Sequence, residues 1–418
     1  MNQAHEKLIE QLNAEKKEDR LCALRALRAC IDKGEIARPQ TGTDVNNHIH
    51  TTYSFSPYSP AKSVWMAYMA GLSTAGIIDH DSLSGAREFI EAGEIMDFPT
   101  TIGFELRCTH TGTKLGARRT NNPDQGGVAY LTFHGVPHTR IDEVTAFLRP
   151  VCVARGERNR AMCERISKLI NLPLDYEKEV LPLSQHADGG SVTERHLLFA
   201  AAKKLIAAHG KGEKLIAFLK TLLPVSQTVA AQLSDAENPY YEYDLLGLLK
   251  AHLVEAFYLP AGPIECPDMA KMVDFARENG IIVTYPYLGD VVSSVTGDKK
   301  NQTFEDSFLD ELFDILYDLG FRALSYMPSR NTMAQLTRLR GLCDKYEMLQ
   351  ISGEDINSPR QSFICKAMRD PMFKNLLDTT WALINHEKAA TAHLEDGFMF
   401  SPLPLQERIE KYKEMYTH

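Results

Sequence analysis

The sequence predicts an α/β fold, a barrel of β/α units, on three observations. Short apolar runs alternate with amphipathic stretches over most of the chain. Each run is bounded by Gly, by polar residues or by a helix-like segment. Candidate metal ligands stand at the ends of separate runs: His48 and His50 in NNHIH, His80 in GIIDHD, Glu105 in TIGFE and Asp355 in ISGED. In a β/α barrel the strand ends converge on one face, where active sites are built. Imidazoles and carboxylates brought to one point are costly unless a cation neutralises them. The pattern points to a metal-dependent hydrolase or a relic of one.

Residues 1–40 read as a helical extension. Leu8, Leu12, Leu21, Leu24, Leu27 and Ile31 fall at spacings of three and four from about residue 3 to 35, with charges between them. Pro39 and Gly42 end this stretch, which is expected to pack on the barrel exterior. Residues 41–150 read as the first part of the barrel. VNNHIH precedes an amphipathic stretch from Pro60 to Gly71, AGIIDHD precedes a helix over 85–93, and TTIGFE follows. This βαβα order predicts parallel strands. Residues 151–265 carry few strand signals, and RNRAMCERISKLI, RHLLFAAAKKLIAAH, EKLIAFLKTLL and YDLLGLLKAHLVEAF read as successive helices of an insertion or cap. Residues 266–418 return to the β/α rhythm. Helix MAKMVDFAREN stops at Gly280, then come strand IIVTYP, helix FEDSFLDELFDILYDLG, strand FRALSYMP, helix TMAQLTRLRGLCDKY, strand MLQISGED and a C-terminal tail.

At 418 residues the chain is long enough for one large domain with an insertion, or for two domains. A net charge of −9 argues against a nucleic-acid-binding surface, and nothing approaches the ~20 apolar residues that span a bilayer. The charged N-terminus does not fit a secretory signal. Eight scattered cysteines without a CxxC pair fit reduced thiols in a cytoplasmic protein.

His48 and His50, two residues apart on a strand, share one face. They follow the TGTD lead and precede the turn YSFSPYSP. His80 lies between Asp79 and Asp81 in a post-strand loop. Glu105 ends an apolar strand, and Asp355 follows Gly353 in the same way. His134, in YLTFHGVP, reads as a core histidine, with metal ligation as the alternative. The loop after Glu105, RCTHTGTKLGARRTNN, carries Arg107, Lys114, Arg118 and Arg119. It could fold over the site and hold phosphate, because guanidinium groups match phosphate oxygens. Arg155, Arg158 and Arg160, on a helix leading into the insertion, could also face it. Thr193 reads as a helix N-cap ahead of Arg195 and His196.

The order His–X–His, Asp–His–Asp at a strand end, Glu after an apolar strand and a late Gly–X–Asp resembles the PHP (polymerase and histidinol phosphatase) domain family, most closely its stand-alone phosphoesterases. The resemblance runs over about 44–135 and 265–360. GSVTERHLL, around Arg195 and His196, is similar to a segment of that family's helical insertion. The resemblance implies a distorted (β/α)7 barrel, up to three divalent metals and hydrolysis of phosphate esters. Three positions depart from the family. Phe55 stands where a carboxylate is usual, Tyr285 where a His precedes Pro286, and Asn357 where a His closes the last motif. The resemblance therefore implies one intact position, His48, His50, Glu105 and Asp355, and a weaker second one near His80 and Asn357. Zn²⁺, Mn²⁺ or Fe²⁺ would suit these ligands.

The resulting expectation is a metal-dependent phosphoesterase that attacks a small, nucleotide-like phosphorylated molecule with a metal-activated water. His80 or Asp79 would orient that water or act as general base, and Arg118, Arg119, Arg195 and His196 would hold the substrate. The alternatives are a decayed binding or regulatory barrel, and a mononuclear amidohydrolase-type enzyme acting on a C–N or ester bond.

Overall fold

In the computed structural model, which describes residues 2–291 and 303–415, seven strands pair in chain order into one sheet. They are β1 (Val45–Ile49), β2 (Thr74–His80), β3 (Thr100–Thr109), β4 (Val128–His134), β5 (Ile282–Tyr287), β6 (Ala323–Tyr326) and β7 (Leu349–Ser352). Strands β1 to β3 are mutually parallel, as are β5 to β7. Strand β4 is antiparallel to both neighbours. The parallel order expected from the sequence fails at this strand for a physical reason. Residues 110–127 join β3 to β4 without a crossover helix, so the chain turns back beside itself. The sheet nearly closes through one parallel bridge beyond the end of β7. His50 N donates to Ile356 O at 3.0 Å, and Ile356 N donates to His48 O at 3.1 Å. Closure thus occurs at the two histidines themselves. Residues 292–302 and 416–418, within the segment read as the second part of the barrel and its tail, lie outside the described residues, as does residue 1.

The N-terminal periodicity resolves into two helices, α1 (Gln3–Gln11) and α2 (Lys17–Asp32). They rest on α3 (Pro60–Met69) and α4 (Ala86–Met96) outside the barrel, where Arg20 pairs with Glu88, both 2% exposed. Between β4 and β5 lie α5 (Ile141–Leu169), α6 (Glu194–His209), α7 (Glu213–Leu222), α8 (Gln227–Ser234) and α9 (Tyr241–Phe257). The first of these runs unbroken through Pro150, so the cap grows directly out of a barrel helix. Helices α10 (Met269–Glu278), α11 (Leu309–Asp318) and α12 (Met333–Lys345) alternate with the later strands. The tail forms α13 (Lys374–Ala392), packed on β7, and α14 (Leu405–Glu414). Among the described residues no helix is long and apolar enough to cross a membrane.

The cap has its own apolar core, built from α5 to α9 and distinct from the barrel core. Phe55, from the turn after β1, belongs to the cap core. Its ring meets His196 edge-on at 5.0 Å and Phe199 at 5.7 Å. Burying a side chain of this size stabilises by about 1.5–3 kcal/mol. The position that departs from the family pattern is thus a hydrophobic joint between barrel and cap.

A buried charge network forms the second joint. Arg155 reaches Asp81 and, at 2.5 Å, Glu194. Arg158 pairs with Glu194 at 2.9 Å and Glu265 at 2.8 Å, and Arg107 with the same two acids at 3.3 and 3.1 Å. Burial alone would push the Glu194 carboxyl up, but Arg155, Arg107 and Arg158 together hold it well below its ordinary range. Three cations face three anions, so the charge balances. Removing one partner of such a buried pair typically costs about 3–5 kcal/mol.

Candidate metal centre

The strand register places the ligand candidates. His80 on β2 is the register partner of Glu105 on β3, and neighbours in a parallel sheet point to the same face. His80 Nδ1 therefore sits 2.9 Å from Glu105 Oε2. His48 on β1 and His50 just past it reach the same point, with ring centroids 5.1 Å apart, and the His50 ring lies 4.6 Å from that of His80. Asp355, beyond β7, completes the circle with Oδ1 3.2 Å from His50 Nε2. Two triads have ligand atoms close enough to share an ion, His48–His50–Asp355 and His50–His80–Glu105, and His50 belongs to both. The sequence grouped Glu105 with the first set, whereas its carboxylate is 4.0 Å from His48 Nε2 and lies nearer His80.

Hydrogen bonding behind His50 sets its tautomer. Asp79 is buried and accepts from Thr51 N at 2.7 Å, Thr51 Oγ1 at 2.6 Å and Ser54 Oγ at 2.6 Å. With its proton given to Asp79, Ser54 Oγ must accept from His50 Nδ1, 3.1 Å away. The His50 proton is then on Nδ1, and the Nε2 lone pair faces the cleft. This is the arrangement of a metal-binding imidazole. His48 Nε2 and His50 Nε2 are both buried without a hydrogen-bond partner. Buried nitrogens are rarely left so unless something else binds them. The residues present therefore fit a divalent cation.

Burial raises the Glu105 carboxyl, but His80, His48 and His50 bring it below its ordinary value. Burial likewise opposes charge on Asp355, yet His50 and His48 hold it well below the usual range. Burial keeps the His48 pKa low, whereas Asp355, Glu105 and Asp79 outweigh burial at His50 and raise it. Asn357 donates from Nδ2 to Asp355 Oδ1 at 2.6 Å, so its amide is spent holding that carboxylate. Gly353 permits the close approach of β7 to β1, since a Cβ there would lie 2.5 Å from His48 Cβ. Asp81, with φ +54, takes a left-handed conformation just after His80 and is held there by Arg155.

The other sequence candidates divide by geometry. Arg119 and Arg195 line the cleft beside His48, His80, Glu105 and Asp355. Arg118 turns outward, 2.5 Å from Glu311, with Phe308 under its guanidinium, which corrects its assignment to the substrate. His196 is corrected too. It is buried at the N-terminus of α6, accepting from Thr193 N through Nδ1 at 2.9 Å, and burial with Arg155 nearby pushes its pKa down to about 3. Asp79 faces the support of His50 and does not line the cleft. Arg155 and Arg158 are consumed by the buried network, Arg160 pairs with Glu177 at 2.7 Å, and Lys114 is exposed. His134 lines the cleft floor, where burial and His48 push its pKa down to about 3, and its Nε2 sits 3.1 Å from Thr132 Oγ1. Tyr285 is fully buried with its hydroxyl accepting from Asn121 N at 3.1 Å, so it has no ligand role.

Sequence reading missed the aromatic and cationic walls. Tyr130, Tyr258, Tyr287 and Tyr326 line a cleft of about 510 Å³, together with Lys250 of the cap. Tyr130 lies on β4 with its ring 5.7 Å from His80. Asn121 fixes the loop that carries Arg119, donating to Tyr130 O at 2.9 Å and to Pro286 O at 2.8 Å. No local signal marks Lys250 or Tyr258, which reach the cleft only because the cap folds back over the barrel.

No protein-family model matches the chain, and no curated protein matches it. Several solved structures resemble it in fold, two of them as follows. One is a Bifidobacterium adolescentis protein provisionally described as a metal-dependent phosphoesterase, 18% identical, covering 80% of this chain and 96% of its own, with a TM-score of 0.51. The other is an amidohydrolase from Chromobacterium violaceum with bound sulfate and no metal, 12% identical, covering 77% of this chain and 90% of its own, with a TM-score of 0.50. At these identities the likeness shows a shared fold.

Proposed function

We propose that the cleft is the active centre of a metal-dependent phosphoesterase acting on a small, nucleotide-like phosphorylated molecule. The observation that carries this reading is the pair of triads sharing His50, with Arg119 and Arg195 on the walls above them. The fold shared with a protein described as a metal-dependent phosphoesterase supports it. His48, His50 and Asp355 would hold the principal ion, with Zn²⁺, Mn²⁺ or Fe²⁺ suited to their nitrogen and oxygen donors. When bound, the ion supplies Lewis acidity and a water acidic enough to attack at neutral pH. Arg119 and Arg195 orient the phosphate and balance its charge. His80 is held through Nδ1 by Glu105, which leaves Nε2 to take a proton from the attacking water or return one to the leaving oxygen. Tyr130, Tyr258 and Tyr287 offer flat walls for a planar base. The cap encloses the site and sets which substrates enter. Eight free cysteines accord with a reducing, cytoplasmic setting.

The amidohydrolase neighbour favours one second reading, hydrolysis of a C–N or carboxylic ester bond at a single ion. The test is release of inorganic phosphate from nucleoside monophosphates, nucleoside bisphosphates and sugar phosphates, beside a panel of amides and lactones. The protein would be loaded in turn with manganese, zinc and ferrous ion. Metal-dependent phosphate release that disappears in His50→Ala supports the phosphoesterase. Amide or lactone cleavage alone supports the second reading. Ligand-dependent thermal stabilisation without turnover of either panel would identify a binding protein on a decayed site.

A further inference from the structure

A second group of metal-ligating side chains lies in the N-terminal helical hairpin, on elements that supply nothing to the cleft. His5 is on α1, Cys30 is in the last turn of α2, and Glu35 is in the turn that follows. One donor atom from each, a ring nitrogen, a thiol sulfur and a carboxylate oxygen, lies within 4.8 Å of the others. His5 Nε2 is 3.8 Å from Glu35 Oε2, and the Cys30 thiol completes the group. The His5 side chain is 7% exposed and that of Glu35 50%.

We propose that His5, Cys30 and Glu35 form a binding site for a thiophilic divalent cation of the zinc class. Nitrogen, thiolate and carboxylate donors in tetrahedral array around zinc lie about 3.3–3.6 Å apart, from bonds of about 2.0–2.3 Å. The half-exposed Glu35 side chain can make the small closing movement this needs. With three protein donors, a fourth position would be taken by water, which the exposed Glu35 side admits. Binding displaces the Cys30 thiol proton to solvent, and the thiolate sulfur then bonds the metal with no change of oxidation state. The ion would clip α1 to the far end of α2. Their connecting turn already holds the barrel, since Asn13 donates to Pro57 O at 2.8 Å and accepts from Ser59 N at 2.9 Å. The clip would stabilise this outer layer. It is independent of the function proposed for the cleft, whose ligands include no sulfur.

That difference gives a clean test. Cobalt(II) titrated into the full-length protein gives a near-ultraviolet sulfur-to-cobalt band only where a cysteine ligates it. The expected result is one such band per chain that zinc displaces. It is lost in Cys30→Ser, retained in Cys22→Ser and in His50→Ala, and shifted to at least roughly tenfold higher cobalt in His5→Gln and Glu35→Gln. Far-ultraviolet circular dichroism checks that each variant folds. Should Cys30→Ser fail that check, the His5 and Glu35 variants decide. Absence of the band in the wild-type protein overturns the proposal. So does its persistence in Cys30→Ser, its loss in Cys22→Ser, or full cobalt affinity in both His5→Gln and Glu35→Gln.

Discussion

His50 Nε2 lies 3.2 Å from Asp355 Oδ1 but forms no aligned hydrogen bond with it. A ring nitrogen of His48 lies within 4.8 Å of the ligand atoms of both. The pair spans the seam where the first and last strands close the barrel, so a ligand held there also ties the barrel shut.

Because His50 belongs to both triads, it and His80 should fail differently. His50→Ala is expected to abolish turnover together with metal binding in the cleft. His80→Ala is expected to keep the cleft ion and lower kcat by about 10²–10⁴-fold, the usual range for a lost general base. Parallel measurement of kcat and bound metal separates the two. Equal metal loss in both variants would contradict the proton-handling role of His80.

Asp79 reaches the proposed ion site through Ser54 and His50 and does not line the cleft. Asp79→Asn is expected to weaken metal affinity by about 10–100-fold while leaving kcat at saturating metal close to wild type. Metal-dependence curves of activity check this. A kcat loss that saturating metal does not restore would give Asp79 a direct part in the chemistry.

Arg118 and Arg119 are neighbours in sequence, and only the second lines the cleft with Arg195. Arg195→Ala is expected to reduce kcat/KM by about 10–100-fold, the worth of one charge-assisted hydrogen bond of about 1.5–3 kcal/mol. Arg118→Ala should change it less than about twofold, because an exposed ion pair contributes little. Steady-state kinetics on the best phosphate ester distinguish the two.

Much of this site was legible because its ligands obey strand periodicity. His48 and His50 had to share a face, and register then carried His80 to Glu105. The same period of two puts Asp79 and His80 on opposite faces, so only one of the two can face the cleft. The reversal of β4 was hidden, because residues 110–127 form a long loop rather than a two-residue hairpin turn. The role of Phe55 depends on Phe199 and Tyr243, far along the chain, and no local pattern reveals a joint between barrel and cap. His196 resembled a substrate ligand only through the likeness of GSVTERHLL to a family segment, whereas here its imidazole caps the helix that Thr193 begins.

That imidazole makes the fold acid-sensitive. Burial foremost, then Arg155, pushes the folded pKa of His196 down to about 3, against about 6.5 for an unfolded histidine. The unfolded chain therefore binds the proton first as pH falls. The stabilising effect is complete above about pH 6.5 and is lost progressively toward pH 3, by up to about 1.4 kcal/mol per pH unit. His196→Gln keeps a side chain able to accept from the Thr193 N–H without the titration. Between pH 7 and pH 5, urea unfolding should show the wild-type protein losing about 2 kcal/mol more than the variant. Equal losses would mean that His196 is protonated in the folded state.

The most direct test of the central claim is the metal content of the purified protein, counted per chain by plasma mass spectrometry beside His50→Ala after identical loading with manganese, zinc or ferrous ion. Of the candidate ligand groups, His50 belongs only to those in the cleft, so ions bound elsewhere cancel in the difference. The account predicts that the wild-type protein carries at least one more equivalent than the variant. Equal content under every loading condition would contradict a metal centre at His48, His50 and Asp355.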